Sequence, residues 1–213
     1  MNQETKNTRR EFVKNTALIT GGAIALPFMS QANYFSGADD VIKIALVGCG
    51  GRGTGAITQA LSTKQNVKLV AMADAFRDRL DNCYKEITSD NGDGSSVKAK
   101  VDVPEERKFV GFDAYKNAIA LADVVILTTT PGFRPIHFEE AVRQGKHIFM
   151  EKPVATDPAG IKRVLDAAEI AKQKKLNVVV GLQRHYQNSY RELYAKKNLI
   201  GDITSAQAWW NND

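Results

Sequence analysis

The sequence predicts an α/β fold in which a parallel sheet offers a ligand site at the carboxyl ends of its strands. Three observations lead there. Short apolar runs beginning near residues 41, 66, 109, 123, 146 and 177 alternate with segments of helical composition, the pattern of parallel strands joined by crossover helices. The first run enters Gly48-Cys-Gly-Gly-Arg-Gly53, a strand–turn–helix context in which Gly-x-Gly-x-x-Gly receives the pyrophosphate of a dinucleotide. The second run ends on Asp74, 21 residues beyond Gly53, where a carboxylate accepts hydrogen bonds from an adenosine ribose.

Each element follows from local chemistry. In the glycine turn, Gly48 permits the bend, Gly50 lets backbone approach phosphate, and Gly53 lets a helix over residues 54–61 pack on the strand. Gly51 and Arg52 complete the expected phosphate-binding set, because unpaired N–H groups and the positive dipole end of a helix favour an anion. Residues 66–74 form the second strand. Asp74 favours NAD(H) over NADP(H), since a free 2′-hydroxyl donates to a carboxylate that would repel a 2′-phosphate; Arg77 and Arg79 soften this preference. A helix over residues 76–87 precedes a polar surface loop over 88–104. Within it, Asp90-Asn-Gly-Asp-Gly-Ser95 lacks the acid and glutamate that a calcium loop needs. After a short strand at 109–110, Asp113 caps a helix that runs to Leu121.

Residues 123–131 read as a buried strand that places Thr129, Thr130 and Pro131 at the ligand edge. Pro135 starts the next helix and Gly145 ends it, with Phe138, Ala141 and Val142 as its apolar face. His137 lies at its start, near the expected cofactor, with an equal claim to a structural role. Residues 146–150 deliver Glu151-Lys152-Pro153. Asp157 caps a helix to about residue 175 whose packing face is Ile161, Val164, Leu165, Ala168 and Ala171. A sixth strand over 177–182 ends near Gln183, Arg184 and His185. Ser189-x-x-Glu192 reads as a capping box for a helix stopped by Gly201, and residues 203–210 as a further strand.

Composition narrows the function classes. The 213 residues are 43% hydrophobic and 25% charged, with a net charge of +5. Setting aside the four basic and two acidic residues of the first 32 leaves only +3, with no basic–aromatic stripe, so no nucleic-acid partner is expected. Cys49 and Cys83 make no disulfide framework, and Cys49 fits as a small packing residue in the turn. No metal site is expected. Thr8-Arg-Arg-Glu-Phe-Val-Lys14, a mildly apolar run of 12 residues over 17–28 and Ser30-Gln-Ala32 resemble a twin-arginine export signal. Residues 1–32 are therefore expected to be a signal peptide and 33–40 a linker. The mature chain would begin near Asn33 in a bacterial periplasm, with no stable membrane anchor. That route carries folded proteins into a compartment without a nicotinamide pool, so a cofactor would be loaded beforehand and tightly held.

With Gly48 to Gly53, Asp74, Thr129-Thr-Pro131, His137, Gly145-Lys-His147, Glu151-Lys-Pro153 and Gly181-Leu-Gln-Arg184 in this order, the chain resembles the Gfo/Idh/MocA family. These are glucose–fructose oxidoreductase, inositol dehydrogenase and their relatives. The resemblance spans residues 41–213. It implies a Rossmann NAD-binding domain over 41–185 and, over 186–213, the first helix and strand of a truncated C-terminal α/β domain that covers the active site and mediates homo-oligomers. It also implies that Lys152 is catalytic, that Glu151 bonds the nicotinamide ribose, that Gln183 and Arg184 border the cofactor, and that the Lys152–Pro153 bond is cis. The family's acid/base aspartate and histidine would lie beyond Asp213, so the 213-residue chain is itself expected to be inactive. The expected function is an exported NAD-dependent oxidoreductase acting on a sugar, polyol or glycoside hydroxyl. A redox-neutral, NAD-dependent glycoside hydrolase and a non-catalytic nucleotide-binding sensor stand as alternatives.

Overall fold

The computed structural model describes residues 40–89 and 96–209. The expected signal peptide, linker residues 33–39, the Asp90–Ser95 stretch and residues 210–213 lie outside the described residues.

Among the described residues, six parallel strands form one sheet: β1 (Ile42–Val47), β2 (Val67–Asp74), β3 (Lys108–Val110), β4 (Val124–Leu127), β5 (His147–Met150) and β6 (Val178–Val180), in the order β3-β2-β1-β4-β5-β6. The helices are α1 (Gly51–Leu61), α2 (Arg77–Thr88), α3 (Ala114–Ala120), α4 (Arg134–Arg143), α5 (Pro158–Gln173), α6 (Gln183–Tyr186) and α7 (Asn188–Ala195). Alternation along β1 sorts its side chains. Ile44 and Leu46 pack with Ile57 and Leu61 of α1 and Leu80 and Ile87 of α2, while Ala45 and Val47 pack with Ile119, Phe138 and Val142. A parallel sheet must be apolar on both faces because crossover helices cover both. The chain leaves β1 towards β2 on one side and returns to β4 on the other, so a crevice opens beyond the carboxyl ends of β1 and β4, where such sheets bind ligands.

Several local expectations are corrected. The stretch over residues 88–104 is not purely surface: Val97 and Val103 are buried beside Leu69, and Val101 bridges to Leu69 in parallel. The two valines cover apolar sheet edge that a polar loop would leave wet. Asp113 precedes α3 in near-helical geometry (φ −97°, ψ 0°) and does not cap it; its carboxylate pairs with Lys116 at 2.7 Å. An N-cap carboxylate reaches the free N–H groups from an extended backbone, which Asp113 lacks. Asp157 is extended and does cap α5, accepting from the Gly160 N–H at 2.8 Å.

On α5 the buried stripe is Val164, Ala167 and Ala171, whereas Ile161 and Leu165 face outward, Leu165 at 62% exposure. The i, i+3, i+7 positions share one face, and small alanines let α5 approach α4 closely. The Ser189 capping box does not form: the N-cap position is Gln187, Ser189 lies inside α7, and no side chain caps it. Residues 203–209 carry no strand, since no described segment lies beside them to supply ladder hydrogen bonds. Among the described residues no helix is long and apolar enough to cross a membrane.

Candidate dinucleotide site

The glycine turn is built by close backbone approach. Gly48 has φ +97°, and a Cβ there would stand 2.5 Å from the Thr129 amide nitrogen. A Cβ on Gly53 would fall 2.0 Å from the Gly48 carbonyl oxygen, so α1 can seat on β1 only through glycine. Thr128 adds a clamp, its hydroxyl donating to the Gly48 carbonyl at 2.6 Å. Gly50 and Gly51 differ in kind: nothing among the described residues lies within 4 Å of a Cβ at either. That open cradle adjoins the start of α1, which no side chain caps, leaving N–H groups for an anion. Cys49 is a buried packing residue, its thiol donating to the Ala73 carbonyl at 3.6 Å.

Asp74 ends β2 facing this turn. Its Oδ2 accepts from the Cys49 N–H at 2.6 Å and its Oδ1 from the Phe76 N–H at 3.0 Å. Each oxygen accepts a second bond without losing the first, which suits two adjacent ribose hydroxyls. Arg77, the nearest cation along the chain, is engaged by Asp81 at 2.8 Å and by Glu105. A shallow open cleft extends from Asp74 past Ala75, Gly111, Phe112, Tyr115 and Phe133. The Phe112 and Phe133 rings form a tilted pair with centroids 6.0 Å apart, an exposed aromatic surface on which one face of a planar base can pack. Sequence reading missed these rings because they sit on separate loops, each resembling an ordinary surface aromatic.

Thr129 and His137 meet at the same end of the sheet, Thr129 Oγ1 lying 3.0 Å from His137 Nδ1. His137 is 6% exposed and its ring centroid lies 4.3 Å from that of Tyr115. Burial, reinforced by the Arg134 charge, pushes its pKa down to about 4. The neutral ring fixes Thr129 and lines the cleft. Thr130 is exposed, its carbonyl accepting from the Phe133 N–H at 3.1 Å in the turn that includes Pro131.

At the end of β5, Glu151 is buried and Lys152 exposed, with the Lys152–Pro153 bond cis. Arg52 reaches across from the glycine turn, its Nε donating to Glu151 Oε1 at 2.8 Å and its Nη2 to the same oxygen at 2.5 Å. Gly181, after β6, is held to glycine by this carboxylate, since a Cβ would lie 2.8 Å from Glu151 Oε1. Gln183 and Arg184 open α6 at the sheet edge; both are exposed, and Arg184 donates to the Gln187 side chain at 2.7 Å. Arg134 is a further residue missed in the sequence. Buried at the start of α4, it donates to the carbonyls of Thr129 and Pro153. A cation at a helix N-terminus opposes the dipole, and that was the signal available.

The open glycine cradle, the uncapped helix start, the doubly competent carboxylate and the aromatic cleft fit a dinucleotide. Among the described residues no group of three or more His, Cys, Asp or Glu side chains could hold a metal ion.

Residues 42–182 match the oxidoreductase family with an NAD-binding Rossmann fold. The chain is 32% identical over 157 residues to inositol 2-dehydrogenase of Azotobacter vinelandii, spanning 72% of this chain and 40% of that protein. Against inositol 2-dehydrogenase of Gluconacetobacter diazotrophicus the identity is 34% over 104 residues, or 47% of this chain and 30% of that one. Scyllo-inositol dehydrogenase from Lactobacillus casei, solved with bound NAD(H) and scyllo-inositol, superposes with a TM-score of 0.57 at 26% identity, over 78% of this chain and 44% of that one. Aldose–aldose oxidoreductase from Caulobacter crescentus shares the fold at a TM-score of 0.56 and 20% identity, over 74% and 42% of the two chains. This chain thus spans less than half the length of these relatives.

Proposed function

Because the chain belongs to the oxidoreductase family with an NAD-binding Rossmann fold, we propose that the protein transfers a hydride between a polyol or sugar hydroxyl and a nicotinamide cofactor. The observation that carries this reading is the Arg52–Glu151 pair. It links the phosphate turn directly to the strand end that bears Lys152, so cofactor binding and the reacting hydroxyl share one edge of the sheet.

The roles follow from the groups. Asp74 holds the adenosine ribose, and the start of α1 takes the pyrophosphate over Gly50 and Gly51. Phe112 and Phe133 would pack against one face of the adenine. Glu151, the buried carboxylate at the end of β5, would accept from the nicotinamide ribose. When bound, the nicotinamide supplies the site that accepts or returns hydride. Lys152 would hydrogen-bond the substrate oxygen and stabilise the negative charge that develops there as hydride leaves the carbon for the nicotinamide and the hydroxyl proton passes to a general base not identified among the described residues. The relatives that are inositol dehydrogenases support a cyclic polyol as the first substrate class to test.

Export belongs to the same reading, supported by Arg9-Arg10 and the apolar run that follows. A cofactor carried outward would be held tightly rather than exchanged. Full-length protein purified from a periplasmic fraction is expected to carry nucleotide and to gain reduced-nicotinamide absorbance with inositols or aldoses. Absence of nucleotide and of any such signal would overturn the reading. Release of a phenol from an aryl glycoside without net reduction would replace it with the hydrolase.

A further inference from the structure

Arg134 is only 2% exposed, and burial lowers its pKa. It stands at the start of α4, where the helix dipole opposes a cation, and its Nε has no hydrogen-bond partner among the described residues. A group that only filled space there would be better apolar. The guanidinium does one thing a hydrocarbon cannot: Nη2 donates to the Thr129 carbonyl, in the loop after β4, and Nη1 to the Pro153 carbonyl, in the loop after β5. Those loops carry the hydroxyl that pairs with His137 and the ammonium of Lys152. A rigid planar fork with donors on separate nitrogens spans two acceptors at a set separation, whereas a lysine brings a single donor atom.

We propose that Arg134 is a positioning residue: it ties the loop after β5 to the loop after β4 and thereby sets where the Lys152 ammonium stands at the carboxyl edge of the sheet. The inference rests on the reading of Lys152 as the group that acts on the substrate hydroxyl. The phosphate and adenosine-ribose contacts, at Gly50, Gly51 and Asp74, lie on other elements and do not pass through Arg134, whereas Phe133 and Glu151 stand beside the segments it ties.

The test uses Arg134→Lys and Arg134→Met in the full-length protein, with NADH affinity, steady-state kinetics and the ¹³C chemical shift of reductively methylated Lys152, assigned by its loss in Lys152→Arg. Both variants are expected to bind NADH within about threefold of wild type while kcat falls about 100-fold, the scale of an ångström-sized misplacement. KM should change far less, and the Lys152 signal should move while those of Lys43 and Lys100 stay. Unchanged kcat and an unmoved Lys152 signal would overturn the proposal. So would parallel loss of NADH binding and of folding in both variants, which marks a mere strut. If wild type oxidises no polyol or sugar, the functional reading fails separately, and the Lys152 signal alone decides: moved in Arg134→Lys supports the positioning role, unmoved refutes it.

Discussion

Asp74 and His137 show how much one side chain carries here. Asp74 holds the turn through the Cys49 N–H and still has acceptor capacity for a ribose. Asp74→Ala should weaken NADH binding by about 1.5–3 kcal/mol, the worth of hydrogen bonds to a charged group, measured by fluorescence titration, and should narrow the gap between NADH and NADPH. His137 has a folded pKa pushed from 6.5 down to about 4. The unfolded chain therefore takes up the proton first, so this contribution to stability is complete above pH 6.5 and is lost as pH falls towards 4. The loss approaches roughly 3 kcal/mol. Denaturant melts of wild type and His137→Phe across that window should diverge, with wild type the more acid-sensitive.

At the scale of elements, the turn between β1 and α1 separates two uses of glycine. Gly53→Ala places a Cβ against the Gly48 carbonyl, forcing α1 off β1, and should cost about 1–3 kcal/mol of stability. Gly50→Ala meets open space at an ordinary φ of −75°. It should leave the melting temperature nearly unchanged while NADH affinity falls at least about tenfold, or roughly 1.4 kcal/mol. Calorimetry beside a binding titration separates the two. The elements themselves were largely legible in the sequence, because periodicity and glycine or proline punctuation are local signals. Caps were less so: Asp157 and Asp113 look alike in sequence, and only the backbone at each shows that one caps and the other does not. The face of α5 was half-read for a related reason. Its apolar residues cover more than one face, and the close neighbour α4 selects Val164, Ala167 and Ala171.

Across the whole molecule, the Arg52–Glu151 pair joins residues 99 apart in sequence, with side-chain exposures of 48% and 7%. Arg52→Met leaves a buried carboxylate without its cation and should cost about 1–3 kcal/mol, less than a fully buried pair because Arg52 is half exposed. Adding Glu151→Gln should restore much of that, and a double-mutant cycle by denaturant unfolding reads the coupling. By itself the sequence determined the alternation of strands and helices, the glycine turn, the acid at the end of β2 and the arrival of Glu151-Lys152-Pro153 at a strand end. Each is written within a short window of chain. Only the tertiary structure decided that Arg52 meets Glu151, that Phe112 and Phe133 wall a cleft with Asp74, that Val97 and Val103 close the sheet edge, and that Arg134 bridges two loops. Those contacts arise where the sheet brings distant strand ends side by side, and spacing along one chain does not encode which side chains then face each other.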